Sequence, residues 1–427
     1  MEAKQLLLDS FRSAVAAADP LKILPAHLPT PPDRKGRTLV VGAGKAAAAM
    51  ALAVELHWPA QAPLEGLVIT RYQHGLLTNR IKVIEAGHPV PDEAGESAAN
   101  EILRAVRGLS ADDLLLVLVS GGGSALMSLP AEGIAMNDLK SITRDLLRCG
   151  APIKDVNTVR KHLSAIQGGR LAAACRARVL ALVVSDVTGD DPTHIASGPC
   201  APDPTTYAEA LDVLDRYRVH APHAVRAHLE RGEQGAIAET PKPGDRVFGR
   251  VENRVIATAQ ASLQAAAQHF RDNGVAAAVL GDSITGEARD VAKVHGAIAR
   301  QIGAHGTPWP APVALISGGE CTVSVGAGAP GHGGRCTEFL LSLAIDLAGM
   351  PNVHAIACDT DGIDGTEDSA GAVLTADTLT RARALGLDAR SSLAEHDSYG
   401  FFCALSELVV TGPTRTNVND YRAILIA

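Results

Sequence analysis

The feature that most constrains the fold of this chain is a repeated alternation between short apolar runs and longer stretches with helical spacing. In the first half, the short β-rich runs cover residues 37–41, 67–70, 82–85, 114–119 and 179–184, and the helical stretches cover residues 46–56, 94–108 and 137–148. Runs such as 114–119 and 179–184 are apolar along their whole length, so their strands are predicted to be buried on both faces, which is typical of a parallel sheet covered by helices. The sequence therefore predicts an α/β protein whose N-terminal half forms a Rossmann-like, doubly wound parallel sheet.

The length of 427 residues exceeds what one hydrophobic core usually fills, which predicts two domains. The alternation pauses over residues 207–243, and the Pro-Lys-Pro-Gly segment at 241–244 is typical of a connection. We therefore expect an N-terminal Rossmann-like α/β domain over residues 1–240 and a second α/β domain over residues 241–427, each an α/β/α sandwich. Ligands of such sheets bind outside the carboxyl ends of the strands, so the active site is expected in the cleft between the domains.

Composition excludes one broad class of function. The net charge is −8 and aromatic residues make up 3 %, whereas a nucleic-acid surface needs a basic face and stacking rings. Composition therefore argues against nucleic-acid binding.

The cysteines and apolar runs bear on where the protein acts. The seven cysteines are scattered without a C-x-x-C pair, which suits a reducing cytoplasm. The longest apolar runs have the length of strands, so no membrane span is predicted. We expect a cytoplasmic protein that acts on a small molecule, and the sequence leaves a homodimer open.

A glycine-rich turn follows the first predicted strand. The segment 42–47 matches the G-x-G-x-x-A form of the dinucleotide fingerprint and places Gly44 and Lys45 at the start of a helix. The acid that would hold a ribose hydroxyl is missing, because the next strand ends at Arg71. A lysine at a helix N-terminus favours a phosphate or a carboxylate, so anion binding is favoured over nicotinamide binding. A tight turn with a solvated lysine stays open.

A second turn and a basic helical stretch are further candidates for anion binding. The turn after residues 114–119 has no bulky side chains, so its backbone N–H groups can form a nest for oxyanions. Its residues are Ser120, Gly121, Gly122, Gly123 and Ser124. Arg160 lies in the basic stretch 157–164, where a substrate contact and a solvated helix face are both open.

Two acidic loops follow other strands, and one arginine begins a helix. Asp186 comes after residues 181–184, whereas Asp359 and Asp361 come after residues 353–357. Such dense carboxylates are expected either to stay solvated or to meet cations such as Mg²⁺ and arginine. The glycine loop 326–334 leads into Arg335, whose charge and geometry suit a phosphoryl group under transfer, although an ion pair with Glu338 is the alternative.

Taken together, these segments closely resemble the glycerate 2-kinase family of bacteria and archaea, whose members carry a C-terminal MOFRL domain. The matching segments are 41–46, 120–126, 157–164, 190–199, 333–335, 359–362 and 411–420. The resemblance spans almost the whole chain, with the MOFRL region at about 311–421. The chain departs from the family pattern at Cys336, where an asparagine is common, and at Arg415, where a glycine is common.

The resemblance implies phosphorylation of D-glycerate on its 2-hydroxyl, with ATP and Mg²⁺, to give 2-phosphoglycerate. It assigns catalytic roles to Lys45, Asp186 and Arg335, and we expect Asp359 and Asp361 to hold the metal. The expected substrate- or phosphate-binding residues are Gly44, Ser120, Gly121, Gly122, Gly123, Ser124, Arg160, Gly333 and Gly334. Some family members are labelled hydroxypyruvate reductases, so an NAD(P)H-dependent reductase is the main alternative. A kinase for another hydroxy acid and a non-catalytic binder of phosphorylated metabolites also stay open.

Overall fold

The computed structural model describes residues 2–33, 35–325 and 331–427 of the chain. These residues form two compact units, one from Pro20–Ile256 and one from Met1–Asp19 together with Ala257–Ala427. The part of the predicted glycine loop at residues 326–330 lies outside the described residues.

The helices and strands follow one another in the order that the alternation predicts. Up to residue 257 they are α1 (Ala3–Ala16), α2 (Pro20–Ile23), β1 (Thr38–Ala43), α3 (Ala47–His57), β2 (Leu64–Arg71), β3 (Ile81–Ala86), α4 (Glu93–Arg107), β4 (Leu114–Val119), α5 (Gly123–Leu126), α6 (Met136–Arg148), α7 (Ile153–His162), α8 (Arg170–Ala174), β5 (Arg178–Val184), α9 (Tyr207–Arg216), α10 (His223–Glu233) and β6 (Val251–Ala257). Beyond it they are α11 (Ala259–Asp272), β7 (Ala276–Gly281), β8 (Gly286–Glu287), α12 (Ala288–His305), β9 (Val313–Gly319), β10 (Cys321–Thr322), α13 (Arg335–Leu347), β11 (Val353–Asp359), β12 (Gly371–Leu374), α14 (Thr378–Ala384), α15 (Ala389–Ala394), α16 (Ser398–Ala404), β13 (Leu408–Val409) and β14 (Asp420–Ile426).

The first sheet has the strand order of a Rossmann-like fold. Among the described residues it contains six strands in the order β3-β2-β1-β4-β5-β6. The pairings of β1 with β2 and β4, of β2 with β3, and of β4 with β5 are all parallel. Strands β1 and β4 are buried along their whole length, as strands covered on both faces should be. The predicted α/β fold with a parallel N-terminal sheet is confirmed.

Helices cover this sheet and bury its apolar side chains. Alternate residues of β1 and β4, such as Val41 and Val117, pack against Ile102 and Val106 of α4. A separate small core holds α6, α7, α9 and α10 together around Tyr207. Most of the candidate residues of this unit therefore lie in the turns that follow its buried strands.

The second sheet is mixed rather than parallel. In the described part of the chain it contains six strands in the order β13-β12-β11-β14-β9-β7. Only its pairing of β7 with β9 is parallel, whereas β9, β14, β11, β12 and β13 pair in antiparallel fashion. Helices α12 and α13 cover one face, and α1 and α11 cover the other. The second unit is thus also an α/β/α sandwich, with its last strand inserted between two earlier ones.

The division of the chain differs from the one expected near residue 240. Strand β6 lies beyond that point, yet it extends the first sheet next to β5. Helix α1 lies at the N-terminus, yet Leu7 and Phe11 belong to the core of the second sheet. Both differences arise because a strand or helix joins the sheet that buries its apolar face, whatever its position in sequence. No helix of the described residues combines the length and hydropathy that crossing a bilayer requires.

Candidate active site

The first sheet brings three of the predicted segments to one edge. Strands β1, β4 and β5 are parallel neighbours in matched register, so their carboxyl ends lie side by side. Lys45 follows β1, residues 120–124 follow β4, and the half-buried Asp186 follows β5. The ends of adjacent parallel strands are where ligands bind in such folds. The structure therefore groups a lysine, a glycine nest and a carboxylate on a single sheet edge.

The turns after β1 and β4 are hydrogen-bonded to each other. The Lys45 N–H donates to the Gly121 carbonyl at 2.8 Å, and the Ala46 N–H donates to Ser120 Oγ at 3.0 Å. Gly44 has a φ of 142°, and a Cβ there would lie 2.0 Å from Ser120 Oγ. Only glycine fits such a close approach. The backbone at Lys45 is therefore fixed relative to the nest.

The nest itself has open backbone donors. Within the described residues, the N–H groups of Gly121 and Gly122 have no hydrogen-bond acceptor. A Cβ placed on Gly122 would lie 3.5 Å from Lys45 Cγ and 2.9 Å from His88 Nε2, so both side chains pass close to this turn. Unpaired N–H groups beside a lysine side chain favour an oxyanion. This geometry supports the sequence-based interpretation of an anion cradle.

A chain of polar side chains links the nest to Arg160. Ser124 Oγ lies 2.8 Å from Ser197 Oγ, Ser197 donates to Asn157 Oδ1 at 3.2 Å, and Arg160 Nη1 donates to the same oxygen at 3.1 Å. Ser197 and the preceding Ala196 have φ values of 58° and 49°, a left-handed conformation that costs free energy in these residues. Neither Ser197 nor Asn157 stands out in the sequence as a candidate residue. Their only signal was membership of matching segments.

Arg160 is a half-buried cation without a carboxylate beside it. No acid of the described residues forms an ion pair with its guanidinium. Burial lowers the pKa of Arg160 to about 10, because the charged form has lost solvent. A buried charge is unfavourable unless it is paired, so this position favours an anionic ligand. Of the two interpretations left open by the sequence, a solvated helix face does not fit.

In the second unit, the register of the sheet places two aspartates opposite each other. Asp359 ends β11 and Asp420 begins β14, and the two residues are direct antiparallel partners. Arg335 bridges them from the start of α13: its Nε donates to Asp420 Oδ1 at 2.7 Å and its Nη2 to Asp359 Oδ2 at 2.7 Å. Nη1 donates to the exposed carboxylate of Glu320 at 2.6 Å. Arg335 is therefore surrounded by acids.

These contacts keep Arg335 charged, and they exclude the ion pair with Glu338 that the sequence left open. Burial by itself would lower its pKa, but the carboxylates of Asp420, Asp359 and Glu320 outweigh burial and raise the pKa well above the usual value. Glu338, which the sequence offered as an ion-pair partner, instead accepts hydrogen bonds from Arg289. Three of the five guanidinium donors are used, so one N–H remains on each of Nη1 and Nη2.

The acidic loop after β11 is buried rather than solvated. Asp359, Asp361 and Asp364 are each no more than 3 % exposed. Asp359 Oδ1 accepts the Asp361 N–H at 3.0 Å, and Asp361 Oδ1 accepts the Ile363 N–H at 2.9 Å. The loop is thus held by its own backbone donors as well as by Arg335.

Asp364 caps the helix that carries Arg335. Its carboxylate accepts the N–H groups of Cys336 and Thr337, both at 2.9 Å, and the Thr337 hydroxyl at 2.7 Å. Burial raises the pKa of Asp364 to about 6 against the opposing effect of these donors. A Cβ on Gly334 would lie 2.2 Å from Asp364 Oδ1, and a Cβ on Gly333 would lie 2.3 Å from Ser398 Oγ. These two glycines are therefore required for packing at the helix start.

The donor chemistry at Asp359 and Asp361 suits a hard cation. Carboxylate oxygens are the ligands that Mg²⁺ prefers, and this ion commonly uses one or two of them together with substrate phosphates. The described residues contain no cluster of three or more histidine, cysteine, aspartate or glutamate side chains arranged for a metal. Any Mg²⁺ held by these two aspartates would therefore need further ligands from water or a substrate.

Comparison with known proteins agrees with this arrangement. The family described as Domain of unknown function (DUF4147) matches residues 6–230, and the MOFRL family matches residues 313–420. The glycerate 2-kinase of Pyrococcus horikoshii is 38 % identical over 98 % of this chain and 96 % of its own. A protein of Agrobacterium vitis that carries the provisional name hydroxypyruvate reductase is 50 % identical over 100 % of this chain and 95 % of its own. The crystal structure of a Thermotoga maritima glycerate kinase, 36 % identical, matches 99 % of this chain and 99 % of its own with a TM-score of 0.87. The chain belongs to the glycerate 2-kinase family with a MOFRL domain.

Proposed function

We propose that this protein transfers the γ-phosphoryl group of ATP to the 2-hydroxyl of D-glycerate, which yields ADP and 2-phosphoglycerate. The observation that carries the proposal is the pair of open N–H groups at Gly121 and Gly122 beside Lys45, on the same sheet edge as Asp186. Phosphoryl transfer depends mainly on positioning and on neutralising charge, and these groups supply both. The Pyrococcus relative is named a glycerate 2-kinase and a Thermotoga maritima relative a D-glycerate 2-kinase, and both names support the same reaction.

Each candidate residue has a role that its surroundings support. Lys45, fixed against the nest, neutralises charge on the transferred phosphoryl group, and the nest donates N–H groups to phosphate or carboxylate oxygens. Asp186 orients the 2-hydroxyl and accepts its proton. Arg160 pairs with an anionic group of a substrate, because protein carboxylates leave it unpaired within the described chain. Arg335 holds Asp359 and Asp420 in place and keeps two N–H groups for a phosphate.

Asp359 and Asp361 are the side chains that we propose for Mg²⁺. Asp359, Asp420 and Glu320 carry three negative charges against the two positive charges of Arg335 and Arg422, which leaves this cluster at −1 before Asp361 is counted. A net negative cluster favours a cation over a free phosphate. When bound, Mg²⁺ supplies charge neutralisation to the nucleotide phosphates.

A reductase that uses NADPH is the second candidate, and one observation favours it. Strand β2 ends at Arg71, in the position where a Rossmann-like fold selects its dinucleotide, and an arginine there can accommodate a 2′-phosphate. Two Agrobacterium relatives carry the provisional name hydroxypyruvate reductase. The kinase is preferred because Lys45 occupies a fingerprint position where no lysine is needed.

We also propose a cytoplasmic location for the protein, since all seven cysteines are free thiols.

An assay of the purified protein distinguishes the two candidates. With D-glycerate, ATP and Mg²⁺, we expect ADP release together with product that enolase consumes without phosphoglycerate mutase, because enolase accepts only the 2-isomer. With hydroxypyruvate and NADPH, we expect no oxidation of the nucleotide. NADPH oxidation without ADP release in the first assay would replace the kinase by the reductase.

A further inference from the structure

Arg415 adopts a backbone conformation that an arginine rarely takes. Its φ is 59°, in the left-handed region where a side chain crowds the following carbonyl and glycine does not. The flanking residues hold it there: the Thr414 N–H donates to the Asp361 carbonyl at 3.0 Å, and Thr416 Oγ1 donates to the Ala18 carbonyl at 2.7 Å. Arg415 is therefore held by its neighbours in a backbone conformation that is unfavourable for an arginine.

The side chain of Arg415 adds a second cost. Its Nε is buried, and it finds no hydrogen-bond partner among the described residues. Its guanidinium also forms no ion pair with an acid of the described chain, unlike those of Arg335 and Arg422. A buried donor without an acceptor is destabilising. Two unfavourable features at one arginine indicate an acceptor that a ligand would supply.

The position of Arg415 identifies the chemistry of that ligand. Thr414, its neighbour in sequence, bonds the backbone of Thr360 and Asp361 through both its hydroxyl and its N–H. Asp361 is one of the two aspartates proposed to hold Mg²⁺, and Mg²⁺ sites of this kind are completed by substrate phosphates. Guanidinium groups match phosphate oxygens in geometry and charge. An arginine on this segment is suited to a nucleotide phosphate more than to an apolar or cationic group.

We propose that Arg415 binds a phosphate group of the nucleotide and sets the affinity of the enzyme for ATP. This inference rests on the proposed kinase function, because that function brings a nucleotide phosphate to Asp361. Arg415 then acts in substrate binding more than in the chemical step. Its loss should raise the KM for ATP and leave the KM for D-glycerate unchanged.

Two variants and a matched control test the proposal. Arg415→Gly and Arg415→Asn both remove the charge, and both residues accept a left-handed backbone, so the fold should be retained. Arg218→Gly is the control, since Arg218 also has a left-handed φ, of 53°, but is exposed at the end of α9. We expect a KM for ATP about tenfold higher in both Arg415 variants, as for loss of a charge-assisted hydrogen bond. The control should match the wild type for both substrates.

Calorimetric titration of the protein with Mg²⁺ and ATP, without glycerate, gives a readout besides turnover. We expect the same loss of about tenfold in nucleotide affinity in both Arg415 variants. Unchanged ATP affinity and KM would overturn the proposal, and a rise confined to the KM for D-glycerate would assign Arg415 to the glycerate carboxylate instead. A wild-type protein that binds ATP but forms no 2-phosphoglycerate would refute the proposed function alone, and the titration would still decide the role of Arg415.

Discussion

At the scale of single residues, Arg335 matters through the acids that surround it. Asp420 is fully buried, and it is shared between Arg335 and Arg422, whose Nη2 lies 2.6 Å from Asp420 Oδ2. Arg422 is itself buried and lies over the ring of Phe339, 5.4 Å from its centroid. Arg335 is therefore a structural partner of buried carboxylates as well as a candidate for phosphate contact. Any substitution there changes both properties.

Replacement of Arg335 by methionine should lower both stability and activity. Removing one partner of a buried ion pair leaves an uncompensated charge, so the free energy of unfolding should fall by about 3 kcal/mol or more. The kcat should fall by about 10²-fold or more if Arg335 also contacts phosphoryl charge. Urea unfolding and initial rates of ADP formation measure the two effects separately.

Glu320→Gln is the matched control for this prediction, because it removes an exposed partner of the same guanidinium. An exposed ion pair contributes little, so the change in unfolding free energy should stay below about 1 kcal/mol. A stable but inactive Arg335→Met variant would show that the buried aspartates are compensated by other groups. A destabilised variant with normal turnover would remove Arg335 from the catalytic residues.

The two acidic loops should respond differently to neutral amides. Asp361→Asn keeps an oxygen for the Ile363 N–H but binds a hard cation less well, so more Mg²⁺ should be needed for half-maximal activity. Asp186→Asn should reduce the rate without changing the Mg²⁺ requirement, because an amide cannot accept the hydroxyl proton. A Mg²⁺ titration of both variants measures this. A shifted requirement in Asp186→Asn alone would mean that the roles of the two loops are exchanged.

The sequence was enough to predict candidate residues at the ends of strands and helices, but not the residues that form hydrogen bonds with them. Lys45 and residues 120–124 could be recognised because a glycine-rich turn directly after a predicted strand is visible in the local sequence. Asp420 and Glu320 were not singled out, although they contact Arg335. Their contacts join residues separated in sequence by 85 and 15 positions, and only the pairing of β11 with β14 brings Asp420 opposite Asp359.

At the scale of single helices, the N-terminus of α13 depends on one buried aspartate from another loop. The pKa of Asp364 is raised to about 6 by burial, above its value in an unfolded chain. The folded protein therefore holds a proton on Asp364 at pH values where the unfolded chain has lost it. The resulting stabilisation is fully present below about pH 4 and is lost as the pH rises through about 6.

Asp364→Asn should remove this pH dependence. As the pH rises from 5 to 8, the wild type should lose about 1.4 kcal/mol of unfolding free energy relative to the variant. Asp92→Asn is the control, because Asp92 caps α4 but its pKa is lowered, the donors of Gly95 and Tyr72 outweighing burial. Both states of Asp92 are charged throughout that range, so its difference should stay constant. A constant difference for Asp364→Asn as well would contradict the raised pKa.

The strands of the first sheet could be predicted better than those of the second. Runs such as 114–119 are apolar throughout, and they became the buried, parallel strands that this pattern indicates. In the second unit, β14 is equally buried, but it begins with Asp420 and contains Arg422, so the apolar pattern is interrupted. Its place between β9 and β11 depends on contacts distant in sequence, which no local pattern specifies.

At the scale of the whole molecule, the first residues of the chain belong to the unit built from its last. Helix α1 has an apolar face that includes Leu7 and Phe11, but its sequence alone gives no indication of which sheet that face covers. In the structure, Phe11 packs against Tyr421, with ring centroids 5.8 Å apart, and Ser10 Oγ lies 2.7 Å from the Tyr421 hydroxyl. The second unit therefore completes its core only when both ends of the chain are present.

Phe11→Ala should consequently destabilise the second unit, although residue 11 comes before the first unit in sequence. Phe11 is 2 % exposed, and truncating a buried phenylalanine costs about 3–5 kcal/mol. Hydrogen exchange followed by mass spectrometry should show faster exchange in β11 and β14, with β4 unchanged. Leu103→Ala, in the core of the first unit, is the control and should give the opposite pattern. Equal acceleration of β4 and β14 in Phe11→Ala would show that the two units lose structure together, and the assignment of α1 to the second unit alone would then be wrong.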